Sequence, residues 1–394
     1  MRDNGSVKEV FLAFLKLGLT SFGGPIAHIA YYRHTFIEQR QWVTEAQFAQ
    51  LLALCQFLPG PASSQMGFSL GLLRAGWLGG IAAFTAFTLP SAVLLFGFAQ
   101  WLPYLSDSVS DAAIHGLKLV ALVVVAQAVW LMSKQLCPDW RRRFIAVASL
   151  LLLLVFNQIA MQMIVVVAGA VSGLILCRGQ NHLLSDQLHV SHSDRTAWCL
   201  LIVFFVLLFL LPLFSSHNSL LAVIDAFYRA GALVFGGGHV VLPLLETTVV
   251  EPGWIAADDY LAGYGAAQAV PGPVFSVAAY LGAMLPGDNG GLTGAIVALT
   301  AIFLPGFLLI GAILPLWKKL ANYPAAANAV AGINAAVVGL LAAALYDPIW
   351  VSVVNGASDI IIALIGFVLL HTFKWSALLI VLWCVFANIG LTLL

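Results

Sequence analysis

The sequence predicts an all-α polytopic membrane protein made of two inverted-topology repeats with broken, re-entrant half-helices. Three observations carry that expectation. Of 394 residues, 61% are hydrophobic and 9% charged, whereas a soluble globular chain carries about 25% charged residues. The apolar runs are continuous rather than alternating, which excludes a membrane barrel. Within them, Gln56-Phe57-Leu58-Pro59-Gly60-Pro61 returns as Gln268-Ala269-Val270-Pro271-Gly272-Pro273. A break of that kind at membrane depth is tolerated only where it is buried in protein or lines a cavity.

From the N-terminus, Arg2, Asp3, Lys8 and Glu9 precede the first apolar run. No small-residue cleavage site follows, so the first helix reads as retained rather than as a signal peptide. Phe14, Gly18, Phe22, Gly23 and Gly24 then match Phe227, Gly231, Phe235, Gly236 and Gly237 at a constant offset of 213. Lys16 falls on Arg229, Trp42 on Trp254 and Ser64 on Ser276, and Phe87-Thr88-Leu89-Pro90 faces Ile302-Phe303-Leu304-Pro305. The chain therefore divides into an N-terminal repeat, 1–178, and a C-terminal repeat, 219–394. Between them, 179–218 holds a polar linker and an extra apolar segment at about 196–214.

Loop charges set the relative orientation, because Lys and Arg collect on the cytoplasmic side. Arg33 and Arg40 in the loop 29–45 face Glu246, Glu251 and Asp258 in its counterpart. Asp107 and Asp111 face Lys318 and Lys319. Lys134 and Arg141-Arg142-Arg143 face Asp347 and Asp359. Opposite bias in three loop pairs implies inverted halves, and the extra segment supplies the odd crossing that inversion needs. The segments 44–58, 61–74, 258–270 and 273–285 span roughly 15 residues or fewer, about 20 Å against a hydrocarbon core of about 30 Å. Each pair around Pro-Gly-Pro thus reads as a re-entrant hairpin.

Proline suits the first position of a helix, so Pro61 and Pro273 are expected to start half-helices. The free N–H groups there and the positive end of the dipole make ready anion sites. Ser63, Ser64 and Ser276 add hydroxyls, and Gln56 and Gln268 lie one turn before each break. Pro59, Gly60, Pro271 and Gly272 form the breaks themselves. Gly23-Gly24 and Gly236-Gly237 read either as a second pair of helix ends or as close helix packing. Lys16 and Arg229, cations at equivalent positions in apolar surroundings, read as a converging pair for a divalent anion or as side chains that snorkel to an interface. His28, His239, Glu45, Glu246 and Asp225 are candidates for proton handling.

Other chemistries fit poorly. Zero formal net charge argues against a nucleic-acid partner. Cys55, Cys137, Cys177, Cys199 and Cys384 are scattered without a C-x-x-C, giving neither a disulfide framework nor a zinc site. His182, His189 and His192 in the linker lack the ligands that would complete a metal site. Gly67-Phe68-Ser69-Leu70-Gly71 satisfies G-x-S-x-G but lies in an apolar helix, where a nucleophile elbow cannot form. There is no Walker A sequence and no H-E-x-x-H, so no enzymatic activity and no cofactor are expected.

Gly18 through Gly24 with its Phe-Gly-Gly core, Trp42, Gln56-x-x-Pro-Gly-Pro61 and their second copies resemble the chromate ion transporter family in its long, two-domain form. The resemblance implies export of chromate across a bacterial inner membrane, conferring resistance, with sulfate as the isostructural competitor; a transporter of sulfate or another oxyanion, or an anion channel, is the alternative reading. Chromate, sulfate and membrane lipid are the partners it brings in, and a homodimer is in keeping with such a transporter. The second half departs from the first at Gly238 for Pro25 and Phe275 for Ser63, which makes the first half the better site for the anion. A dianion leaving an inside-negative cell at roughly 150 mV gains about 7 kcal/mol, about five decades of concentration ratio. Export therefore needs neither ATP nor an obligatory proton.

Overall fold

The computed structural model describes residues 5–104, 108–156, 159–177, 194–215, 220–235, 238–320 and 323–393. The linker histidines, Gly236 and Gly237 lie outside the described residues. Those described form helices and no strand. In chain order they are α1 (Val7–Thr20), α2 (Gly24–Arg33), α3 (Glu45–Phe57), α4 (Ala62–Trp101), α5 (Ser108–Leu136), α6 (Trp140–Val155), α7 (Ile159–Leu176), α8 (Asp194–Phe214) and α9 (Leu220–Ala232). They continue as α10 (Val241–Val249), α11 (Ala257–Ala269), α12 (Val277–Met284), α13 (Gly291–Leu320), α14 (Pro324–Ala344), α15 (Val351–Val353), α16 (Ala357–His371) and α17 (Ala377–Thr392).

Short helices flank both Pro-Gly-Pro breaks, but Pro273 does not start an α-helix as expected: a 3-10 turn, Val274–Ser276, follows it and α12 begins at Val277. Thr44 starts α3 with a capping box: Gln47 N–H donates to Thr44 Oγ1 at 3.2 Å, and Thr44 N–H donates to Gln47 Oε1 at 3.1 Å. The helix stops before Pro59, which disfavours helical backbone at the residue preceding it. After Pro61, α4 is two helices rather than one. Ala75 and Gly76 break it with non-helical backbone, and Gly76 takes a φ of +67°. A Cβ on Gly71 would stand 2.4 Å from the carbonyl oxygen of Gly79, so residues 62–74 fold back closely on the helix that follows. The second half repeats this hairpin: a Cβ on Gly282 of α12 would stand 2.2 Å from the Gly294 carbonyl of α13. Small residues let the two backbones touch, as membrane helices require when packing supplies most of their association.

Two compact units result, each drawing segments from both halves of the sequence. The first comprises residues 1–100, 183–238 and 270–322. Its core stacks Phe14 on Phe36 at 4.9 Å between ring centroids and Phe36 on Trp42 at 4.5 Å. Trp42 Nε1 donates to Glu9 Oε1 at 3.2 Å, and Arg74 at the end of the first half-helix binds Glu9 Oε2 at 3.2 Å. The Arg74 guanidinium also lies 5.4 Å from the Trp42 ring centroid.

The second unit comprises residues 101–182, 239–269 and 323–394. There α14 packs on α7 through Gly169, Gly173 and Gly332, and α5 packs on α11, where a Cβ on Gly265 would meet the Leu117 carbonyl at 2.1 Å. Lys118 of α5 donates to Asp258 at 2.8 Å, and His115 faces buried Asp359 at 3.1 Å. Among the described residues five helical stretches are long and apolar enough to cross a bilayer: Ala62–Trp101, Val109–Leu136, Arg195–Phe214, Gly291–Trp317 and Ala325–Val353. The break at Ala75–Gly76 leaves residues 77–101 as the longer continuous helix of the first of these.

The stretch 29–45, expected as a loop, is largely helical: α2 runs on into a π-helical segment, His34–Gln39, and Arg33 at the end of α2 binds Glu38 in it at 3.1 Å and Glu45 at the start of α3 at 2.9 Å. Hydrogen bonding from His34 holds the Glu38 carboxyl below its usual range.

Candidate functional site

Both Pro-Gly-Pro breaks lie in the first unit, and each is bound to the other half of the sequence. The Gly60 N–H donates to the Val234 carbonyl at 2.7 Å, and the Gly272 N–H donates to the Ser21 carbonyl at 3.0 Å. Ser21 and Val234 occupy the same repeat position, directly before Phe-Gly-Gly. The exchange is therefore reciprocal. A second pair of contacts follows the same rule: a Cβ on Gly60 would stand 3.1 Å from Gly306 Cα, and one on Gly272 would stand 3.0 Å from Ser91 Oγ. Ser91 and Gly306 each follow the repeated Leu-Pro.

Backbone conformation explains why glycine holds both breaks. Gly60 has φ +121° and Gly272 φ +104°, values that residues with a Cβ rarely adopt. Gln65 fastens the first break from one turn inside the half-helix: its Nε2 donates to Pro59 O at 2.9 Å and to Gly306 O at 3.2 Å. In the second break Ser276 takes that part. Ser91 Oγ already donates to Thr88 O at 2.9 Å, so the 2.6 Å contact between Ser91 Oγ and Ser276 Oγ has Ser276 as donor.

The first half-helix starts with N–H groups of Ala62, Ser63 and Ser64 that have no intrahelical acceptor. Ser63 Oγ lies 3.5 Å from Nδ1 of His28, whose ring stands edge-on to Phe87 at 5.1 Å. In the same unit, Ser21 Oγ, His28 Nε2, Tyr32 OH, Ser64 Oγ, Gln65 Oε1 and Thr88 Oγ1 are buried and make no hydrogen bond among the described residues. A buried polar group left without a partner costs about 1–3 kcal/mol, so the first unit concentrates polar groups able to bind a ligand. The second half-helix is drier. Phe275 stands where Ser63 does and packs on Phe303 at 5.7 Å, and Ser276 is already bonded.

The expected site residues are thus spread unevenly. Pro59, Gly60, Pro61, Ser63, Ser64, Pro271, Gly272, Pro273 and Ser276 are all within the first unit. Gly23 and Gly24 have φ of +104° and +76° and open α2. Gln56 is exposed, whereas Gln268 is buried in the second unit with its Nε2 unpartnered among the described residues. Lys16 is exposed on α1, away from the buried face formed by Phe14, Leu17 and Gly18. Arg229 is bound to buried Asp225 one turn earlier on α9. The two cations are therefore not a free, buried pair, because one reaches solvent or lipid and the other has its own carboxylate. Ser69 of the G-x-S-x-G run donates to Gln65 O at 2.7 Å in mid-helix and is fully buried.

Ser21, Tyr32, Gln65, Thr88 and Ser91 were not singled out by sequence reasoning. The signal for Ser91 and Thr88 was their place beside the repeated Leu-Pro. Ser21 and Tyr32 carry none, since a lone hydroxyl in an apolar helix is ordinary.

The sequence pattern of the chromate transporter family matches residues 8–174 and again residues 221–389. The chain belongs to the chromate transporter family. The two matches coincide with the two halves that the motif repeat delimits. A probable chromate transport protein of Synechococcus elongatus is 31% identical over 356 residues, covering 86% of this chain and 84% of that protein. A chromate transport protein of Cupriavidus metallidurans is 27% identical over 385 residues, 94% of this chain and 89% of that protein. An uncharacterized transporter of Bacillus subtilis, YwrB, is 27% identical over 191 residues, which are 48% of this chain and 95% of that protein. One half of the present chain thus corresponds to nearly the whole of that family relative. No solved structure matches the chain.

Proposed function

We propose that this chromate transporter family member exports chromate across a bacterial inner membrane by alternating access of two inverted repeats. The observation that carries the reading is the reciprocal locking of two broken helices, with the buried, unbonded Ser64 hydroxyl in the first turn of one of them and further unbonded polar groups in the same unit. Chromate is a tetrahedral dianion, and first-turn N–H groups, serine hydroxyls and the positive helix end are complementary to it. The anion binds at Ala62, Ser63 and Ser64, with His28 behind Ser63 and the second break closing from the other repeat. Relatives named as chromate transport proteins support the substrate, and the membrane potential supports the direction. Chromate resistance follows from export.

The test is uptake of labelled chromate into inverted vesicles under an imposed potential, then under a proton gradient, with and without excess sulfate. Potential-driven accumulation that sulfate leaves intact is expected. Complete suppression by sulfate would move the assignment to a general sulfate-type carrier, and no uptake under either gradient would overturn the transport reading.

Arg229 can be assigned by a double-mutant cycle. Removing one partner of a partly buried ion pair strands the other charge, at a cost of about 3–5 kcal/mol when fully buried. Arg229→Gln is expected to lower the unfolding temperature, and Asp225→Asn on top of it to restore both stability and transport. Restored stability without restored transport would instead place the guanidinium on the anion.

A further inference from the structure

A groove of about 360 Å³ opens on the second unit between α5, α6 and α14. Its walls are apolar: Val129 of α5, Val147 and Leu150 of α6, and Val338 and Gly339 of α14. At its edge α14 approaches α6 closely at a glycine, where a Cβ on Gly339 would meet the Ala146 carbonyl at 2.3 Å. Lys134, in the last turn of α5, and Arg143, in the first turn of α6, also line it on either side of the connecting turn.

That turn is the most cationic stretch of a chain with zero formal net charge. Lys134, Arg141, Arg142 and Arg143 stand against one carboxylate, Asp139, which Arg142 binds at 2.9 Å. Arg141 donates to Leu176 O at 2.9 Å, and Arg143 donates to Cys137 O and Pro138 O, both at 3.1 Å. These bonds fix the guanidinium groups on the last carbonyl of α7 and on two carbonyls just after α5 while leaving their charge uncompensated. Lys134 makes no ion pair among the described residues; its Nζ sits 4.3 Å from the Trp130 ring centroid. Trp130 and Trp140 are 44% and 70% exposed, as aromatic side chains at a headgroup boundary are.

The geometry points to a binding site for an anionic phospholipid, its phosphate between Lys134 and Arg143 and an acyl chain in the groove. Charge complementarity selects the occupant. A zwitterionic lipid would fill the apolar walls equally well but would leave three cations uncompensated, and basic pockets between helices favour acidic headgroups. A free phosphate would satisfy the cations and gain nothing from Val147 or Gly339.

The test uses the full chain, purified in an uncharged detergent and stripped of lipid. Phosphatidylglycerol and phosphatidylcholine with identical acyl chains are titrated separately, and bound lipid is counted by native mass spectrometry. Preferential retention of phosphatidylglycerol is expected, with Lys134→Gln weakening it about fivefold, the loss of one basic contact. Val147→Trp, which fills the groove and leaves every cation in place, is expected to expel the lipid. Both positions are exposed, and unchanged unfolding temperatures in the lipid-free state verify folding. Equal retention of the two lipids, displacement of phosphatidylglycerol by inorganic phosphate, or wild-type retention in both variants would overturn the site.

Discussion

Gly60→Val is expected to abolish transport and to lower the unfolding temperature more than a substitution at any other bend of the first repeat. The backbone at Gly60, with φ +121°, lies where a side chain costs of order 1–3 kcal/mol. A Cβ there would press on Gln65 Nε2 at 2.8 Å and on Gly306 Cα at 3.1 Å. Displacing Gln65 also removes the buried bonds to Pro59 O and Gly306 O, each worth about 1 kcal/mol net and more when the partner is left unsatisfied. Gly76 supplies the control. It has φ +67° but nothing within 4 Å of an added Cβ, so Gly76→Ala carries only the backbone cost and transport should survive. Thermal unfolding in detergent and chromate uptake into vesicles read both effects. Wild-type uptake by Gly60→Ala would show that the first break has no need of its present geometry.

The second large effect has opposite signs in stability and in transport. Ser64 Oγ is buried without a partner among the described residues, so Ser64→Ala removes a desolvated hydroxyl and should raise stability by about 1–2 kcal/mol. The same change deletes a donor to a dianion. Hydrogen bonds to charged groups are worth about 1.5–3 kcal/mol, so half-saturation for chromate should rise roughly ten- to a hundredfold. Ser63→Ala should weaken transport similarly, since its hydroxyl is only loosely engaged by His28 at 3.5 Å. Ser276→Ala differs again: its hydroxyl is committed to Ser91 at 2.6 Å, so it should cost stability and affect half-saturation least. If Ser64→Ala were destabilised with unchanged transport, the hydroxyl would have a structural partner and the anion site would lie elsewhere. Stabilised, transport-deficient variants are the usual mark of a polar group kept for function.

These expectations rest on features that the sequence reveals to different degrees. Pro-Gly-Pro is legible because proline and glycine act on their own backbone, whatever surrounds them. Pro59 ends α3 and Pro61 precedes α4 by local sterics alone. Short segments at 61–74 and 273–285 were legible from length, since the apolar runs around each break are too short to span a bilayer, whereas the later start of the second helix at Val277 was not. The all-helical membrane class was legible from composition, because lipid leaves a continuous apolar chain no other way to satisfy its backbone.

Side-chain partnership was not legible. Lys16 and Arg229 share a repeat position, yet only Arg229 has a carboxylate one turn back, and the sequence gives no sign that Asp225 would be buried to meet it. Gln56 and Gln268 are equivalent by repeat, but one is exposed and the other buried. Gln65, which no repeat marks, is what fastens the first break. The same holds for Ser91, whose bond to Ser276 crosses 185 residues of sequence.

By itself, then, the sequence determined what depends on the local chain: the membrane-helical class, the repeat, the two breaks and the glycines that permit them. Only the tertiary structure decided which breaks meet, that Gly60 binds Val234 while Gly272 binds Ser21, and which hydroxyls stay unpaired. Proline, glycine and apolar length act within a few residues, whereas a hydrogen bond between halves depends on long-range packing that brings distant segments into contact.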